Sequence, residues 1–101
     1  MKIGIDLVKI TEQKNRFSGD LTKVFTEYEL NLGGDRLAGT FAAKEAFFKA
    51  FGCKDDWLSV WIEHETSGKP ILRSILLKEN EKAEVSISYA GDYVTAVVII
   101  F

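Results

Sequence analysis

The sequence predicts an α+β domain, and three observations carry the prediction. An alternating strand pattern opens the chain, one long helical stretch lies between glycines, and several short strand patterns follow it. Ile3, Ile5 and Leu7 alternate with Lys2, Gly4 and Asp6, so Asp6 belongs to the face opposite the isoleucines. Residues 11 to 31 are mixed and predict short helical pieces around Phe17, Leu21, Phe25 and Tyr28. Gly33 and Gly34 break the chain. Asp35 is then an N-cap candidate for a helix running to Phe51, with Gly52 as its left-handed stop. Residues 57–65 alternate as a strand, and Ser67, Gly68, Lys69 and Pro70 form a turn into a second apolar segment, 71–77. Residues 84–89 and 93–101 read as a final hairpin around Ala90, Gly91 and Asp92. Its second strand is apolar on both faces and therefore central. The expected architecture is one long helix packed on a mainly antiparallel sheet.

The chain has 101 residues, 47% of them hydrophobic and 28% charged, with one proline. Such a chain is read as a single domain over residues 1–101 with a modest core, and its composition argues against disorder. The longest apolar run, 94–101, is far short of the roughly 20 residues of a membrane helix. Asp6 falls where a signal peptide needs its apolar stretch. A lone cysteine, Cys53, and a lone histidine, His64, form neither a disulfide nor a zinc cluster, so a reducing cytoplasm is the expected setting. The formal charge of −2 argues against a nucleic-acid partner. Its distribution is uneven, however. The first 25 residues hold five bases (Lys2, Lys9, Lys14, Arg16, Lys23) against three acids, a basic surface that suits an acidic partner.

Within the long helix, Leu37, Phe41, Phe48 and Phe51 fall on one apolar arc at 100° per residue. Glu45 and Lys49 sit at its edge four residues apart, either as an ordinary helix-stabilising pair or as working groups. Lys44 projects from within the arc and must snorkel or pair with whatever the arc faces. Asp6 interrupts an apolar strand, either at a wet edge or buried with a charged partner or a metal. If Asp6 and Glu45 meet, two carboxylates with a lysine nearby suit a Mg²⁺–phosphate site.

The string Phe41-Ala42-Ala43-Lys44-Glu45-Ala46, continued by Lys49-Ala50 and Gly52, closely resembles the signature helix of the holo-[acyl-carrier-protein] synthases, the small 4′-phosphopantetheinyl transferases. Gly4 to Val8 resembles their first strand, and Phe25-Thr26-Glu27-Tyr28-Glu29 their Phe-Thr-x-x-Glu segment. Gly68-Lys69-Pro70 and Ser86-Ile87-Ser88 follow in the family's order. The resemblance implies the phosphopantetheinyl transferase fold. It also implies transfer of the phosphopantetheine arm of coenzyme A to a serine of apo acyl carrier protein, releasing adenosine 3′,5′-bisphosphate. A homotrimer with active sites at subunit junctions is implied as well. By residue, Asp6 and Glu45 would hold Mg²⁺, Glu45 would accept the serine proton, and Lys49 would neutralise the leaving phosphate. Lys44, Lys49, Gly52, Lys69, Pro70, Ser88 and Tyr89 would contact coenzyme A, with Lys44 against its phosphates or arm. Lys9, Lys14 and Arg16 would dock the acidic carrier protein.

Two positions depart from the resemblance. Tyr89 stands where the family has the histidine that helps bind the 3′-phosphate of coenzyme A, and Thr40 where it often has arginine. Loss of two donors predicts weaker coenzyme A binding and poorer discrimination against dephospho-coenzyme A. The segment between Ile10 and Phe25 is also short for the family. A relative that binds coenzyme A or carrier protein without transfer is the alternative. Trp57 and Trp61 are expected on one strand face as core or subunit contacts, Cys53 is expected to be inert, and His64 is expected at the surface.

Overall fold

The computed structural model describes residues 1–16 and 19–101, so the helical piece expected around Phe17 lies outside the described residues. In chain order these are β1 (Lys2–Lys9), α1 (Ile10–Arg16), a 3-10 turn (Leu21–Lys23), α2 (Glu27–Leu32) and α3 (Asp35–Phe51). A second 3-10 turn (Trp57–Ser59), β2 (Val60–His64), β3 (Pro70–Ser74), β4 (Ala83–Ala90) and β5 (Tyr93–Ile100) follow. The strands form two antiparallel sheets, one of order β1-β5-β4 and a β2–β3 hairpin. β5 is central, as its two apolar faces predict. Helix α3 lies across β1 and β5, and β3 packs beside β4. Among the described residues, no helix is long and apolar enough to cross a membrane.

The sheet and α3 approach closely because both surfaces are small. Ala42, Ala43 and Ala46 are wholly buried, and Gly4 of β1 lies against the helix backbone. A Cβ on Gly4 would stand 2.1 Å from the Ala46 carbonyl oxygen and 2.6 Å from the Ala50 nitrogen. The expected arc of Leu37, Phe41, Phe48 and Phe51 is therefore not the face turned to the sheet. Phe41 and Phe48 pack instead on Trp57, with ring centroids 5.0 and 5.6 Å away, while Phe47 stacks on Phe51 at 5.7 Å.

Strand β1 alternates as predicted, but its apolar side is the open one. Ile3, Ile5 and Leu7 are 65%, 62% and 66% exposed, whereas Gly4 and Val8 are buried. The register sets Ile3 opposite Ile99 and Ile5 opposite Val97, so an apolar strip runs along the outer face.

Three boundaries differ from expectation. Gly33 and Gly34 both take positive φ (+61° and +56°), turning the chain so sharply that α3 begins at Asp35. Asp35 is thus inside the first turn, where its charge suits the helix dipole, and Gly34 takes the N-cap place without a side-chain bond. The strand expected from residue 57 starts at Val60. Asp56 caps a 3-10 turn there by accepting from the Leu58 N–H (2.9 Å), so Trp57 and Trp61 do not share a strand face. Strand β3 ends at Ser74, whose hydroxyl accepts from the Leu76 N–H. At the far end of α3, Gly52 is left-handed (φ +91°) and returns its N–H to the Phe48 carbonyl, as expected.

Candidate functional site

Where α3 crosses the β1 edge, two sequence-distant carboxylates share a cleft of about 360 Å³. Asp6 and Glu45 line it together with Lys9, Glu12, Arg16 and Phe41. Lys49, one turn after Glu45, donates to Asp6 Oδ1 and to the Ile5 carbonyl, each at 3.0 Å. Asp6 is thereby held largely buried, with its counter-charge beside it. Glu45 pairs with Lys54 at 2.8 Å, and Lys54 also lies over the Trp57 ring, 4.7 Å from its centroid. Gly52 borders a shallow hollow on this side with Glu45, Lys49 and Lys54.

Helix α1 reaches the cleft because the β4–β5 turn anchors its start. Asp92 accepts from the Ile10 N–H through its carbonyl (2.7 Å) and from the Thr11 hydroxyl through its carboxylate (2.6 Å). Lys9 and Arg16 thus face the carboxylates, whereas Lys14 pairs with Asp35 at 2.6 Å. Among the described residues no three His, Cys, Asp or Glu side chains form a metal cluster. Two carboxylates in an open cleft nevertheless fit Mg²⁺, which keeps several waters and takes one or two carboxylates plus substrate phosphates.

Lys44 corrects the expectation that it lies against phosphates or the pantetheine arm. Its side chain is wholly buried, with Nζ 2.9 Å from Glu29 Oε1 and donating to the carbonyls of Val24 (2.7 Å) and Trp57 (3.1 Å). The other reading, that it pairs with what the helix faces, is the one realised. Burial pulls the ammonium below the usual lysine range, opposed by the hydrogen bond and charge of Glu29. Glu29 is equally buried and is tied in by the Phe-Thr-x-x-Glu segment itself. Thr26 and Glu29 form a reciprocal capping box on α2, and Glu29 Oε2 accepts from the Ile62 N–H of β2 at 2.8 Å. One carboxylate joins α2, α3 and β2.

A second crevice, of about 150 Å³, opens at the β4 edge on the other side of α3. Arg36, Thr40, His64, Gly68, Pro70 and Tyr89 line it. Tyr89 turns inward with Val85 and Ile87, and its hydroxyl lies over Gly39, where a Cβ would be only 2.1 Å from it. Burial pushes its phenol up, and Arg36 pulls it back. Ser88, one residue earlier, belongs to the outer face, opposite Thr95, so the structure separates it from Tyr89. Lys69 is exposed on the β2–β3 turn, 4.0 Å from Glu84. His64 is not a plain surface residue: it lines this crevice, and Tyr28 Oη is 3.0 Å from its Nδ1. Burial lowers the imidazole pKa, and the nearby Arg36 charge lowers it further.

Asp6, Glu45 and Lys49 are therefore brought together, Pro70 and Tyr89 meet at a separate place, and Lys44 belongs to neither. Sequence reasoning singled out Glu29 within its motif without giving it a role, and it missed Arg36, Lys54 and the position of His64. Only Glu29 carried a readable signal, the Thr-x-x-Glu spacing of a capping box.

The pattern of the 4′-phosphopantetheinyl transferase superfamily matches residues 2–98. The chain is 34% identical to a holo-[acyl-carrier-protein] synthase of Shouchella clausii, covering 97% of this chain and 95% of that one. It is 34% identical to that of Nautilia profundicola, covering 97% of each. The Helicobacter pylori holo-[acyl-carrier-protein] synthase in complex with coenzyme A superposes with a TM-score of 0.88 at 27% identity, over 98% of this chain and 99% of that one. The Bacillus anthracis holo-(acyl-carrier-protein) synthase, in complex with CoA (3′,5′-ADP), gives 0.78 at 31% identity, over 98% and 94%. The α+β architecture and the helix motif point to the same place as these likenesses: the chain belongs to the 4′-phosphopantetheinyl transferase superfamily.

Proposed function

We propose that this enzyme transfers 4′-phosphopantetheine from coenzyme A to a serine of apo acyl carrier protein with Mg²⁺, releasing adenosine 3′,5′-bisphosphate. The observation that carries the reading is the convergence of Asp6 and Glu45 on one cleft with Lys49 on Asp6. The serine oxygen attacks the phosphorus that bears the pantetheine arm. An O–P bond forms, the bond to the bridging pyrophosphate oxygen breaks, and the serine proton passes to Glu45. Lys49 balances charge on the departing phosphate. Asp6 and Glu45 would hold Mg²⁺, which when bound supplies charge screening and alignment of the pyrophosphate. Lys9 and Arg16, beside the same cleft, and Lys14 on the outer turn of α1 offer cations to an acidic carrier protein.

The trimer is carried by the family resemblance; the geometry supports sites shared between copies of the chain. Arg36 precedes Glu45 by nine residues, which places the two on opposite sides of α3 and roughly 13 Å apart along its axis. The second crevice, with Pro70 and Tyr89, is thus turned away from the carboxylates. A coenzyme A that touches both sets bridges two copies of the chain, and the apolar outer strip of β1 and β5 offers the surface that joins them. A reducing, cytoplasmic setting suits the exposed thiol of Cys53.

The test is intact-protein mass spectrometry of an apo acyl carrier protein incubated with this protein, coenzyme A and Mg²⁺. A phosphopantetheine mass gain that disappears with EDTA and with Glu45→Gln supports the assignment. Coenzyme A binding without any gain, across several carrier proteins, selects the non-catalytic alternative.

A further inference from the structure

Each carboxylate of the cleft is met by a lysine, but the two lysines are held differently. Lys49 belongs to α3 and is fastened at two points, the Asp6 carboxylate and the Ile5 carbonyl, each at 3.0 Å. It is tied to the main chain of β1 as well as to the charge it neutralises. Lys54 lies beyond the Gly52 stop, in the stretch that joins α3 to the second 3-10 turn. Its ammonium is 2.8 Å from Glu45 Oε1 and 4.7 Å from the centroid of the Trp57 ring, and its side chain is more than half exposed. Trp57 is a fixed platform, because Phe41 and Phe48 both pack on it.

Glu45 stands between two openings. It lines the cleft that it shares with Asp6, and it also borders the hollow formed with Phe48, Lys49, Gly52, Cys53 and Lys54. Lys54 borders the hollow and not the cleft, so its pull on Glu45 is toward the hollow. A cation held by both Asp6 and Glu45 draws the same carboxylate toward the cleft. The oxygen that carries Lys54 is not available to that ion while the pair holds, and the ammonium beside it repels a dication. Because the pair is partly exposed, the competition amounts to a severalfold change in affinity and not a block.

We propose that Lys54 is a positioning residue for Glu45, a tethered counter-ion that holds the carboxylate toward the hollow until a divalent cation displaces it. The proposal rests on the metal reading of Asp6 and Glu45 above. Trp57 keeps the ammonium within reach of Glu45. Lys49 is not the displaced group, because its bond to the Ile5 carbonyl keeps it at β1. A residue outside the helix motif thus sets the Mg²⁺ concentration at which the site fills.

The experiment is titration of the whole protein with Mn²⁺ in the absence of coenzyme A. Free Mn²⁺ is counted by electron paramagnetic resonance, and Mg²⁺ is added as competitor. Wild type, Lys54→Gln, Lys54→Arg and Glu45→Gln are compared. Lys78→Gln, at an exposed lysine between β3 and β4, controls for lost charge alone. Lys54→Gln should bind both ions about three- to fivefold more tightly, the range of a partly exposed ion pair, and the gain should shrink as KCl is raised. Lys54→Arg and Lys78→Gln should stay within about twofold of wild type. In a Glu45→Gln background, Lys54→Gln should bring no gain. Equal affinity in wild type and Lys54→Gln, a gain matched by Lys78→Gln, or a gain that persists without Glu45 overturns the proposal. If the ions bind and carrier protein gains phosphopantetheine while Lys54→Gln equals wild type, the role of Lys54 alone falls. If wild type binds neither ion, the proposal falls, and the mass gain decides separately whether transfer occurs.

Discussion

Lys44→Met should destabilise the protein more than any substitution of the surface lysines, because it strands a buried carboxylate. Lys44 and Glu29 are both fully buried, 2.9 Å apart. Removing the ammonium leaves Glu29, among the described residues, with the N–H groups of Thr26 and Ile62, and leaves the Val24 and Trp57 carbonyls without this donor. Breaking a buried pair in this way costs about 3–5 kcal/mol. That approaches the whole stability of many domains of this size, about 5–15 kcal/mol. The assay is urea unfolding at fixed protein concentration, since self-association would otherwise shift the midpoint. Because the single variant could leave little folded protein, the cycle is completed with Glu29→Gln and with Lys44→Met/Glu29→Gln. The double variant removes both charges and should be more stable than the sum of the single losses by about 2 kcal/mol or more. Additivity to within about 0.5 kcal/mol, or a loss below about 1 kcal/mol for Lys44→Met, would refute the argument.

Gly4→Ala should cost about 2–3 kcal/mol and lower transfer by one to two orders of magnitude with a smaller change in KM. Its Cβ meets backbone atoms of Ala46 and Ala50 and must push Asp6 away from Glu45, which steady-state kinetics and unfolding would register together. The imidazole of His64 should titrate below 6.5 by NMR, and Arg36→Gln should raise it in part, since burial is the larger cause. The unfolded chain takes that proton first as pH falls. Stability should therefore decline from pH 6.5 down to the folded value, and level off below it. If the proposed trimer forms through the exposed strip, wild type should sediment as a trimer and Ile5→Glu, opposite Val97, as a monomer with unchanged circular dichroism; a wild-type monomer refutes the assembly.

The element order, the central place of β5 and the C-terminal stop of α3 were legible because they rest on local causes: alternation, apolarity on both faces, a left-handed glycine at the stop. The inward side of β1 was not. An Ile-Ile-Leu alternation ordinarily marks the buried face, but here Gly4 permits backbone contact with α3, so the small side turns in. At the site, Asp6, Glu45 and Lys49 could be named from the motif, but their meeting depends on β1 lying under α3. Lys44 was legible in one respect, as a lysine on an apolar face that must find a partner. That the partner is Glu29 is a fact of tertiary packing. Arg36 and His64 carry no local pattern at all; their neighbours come from β4, the β2–β3 turn and α2.

The Gly4 contact also bears on how such a protein tolerates sequence change. The spacing between the strand that carries Asp6 and the helix that carries Glu45 is fixed by main-chain atoms in near contact, not by side chains wedged between them. The aromatic contacts of Phe41, Phe48 and Trp57 lie outside that gauge. The positions least free to vary are then the smallest ones, glycine and alanine, where a single added methyl acts as a spacer.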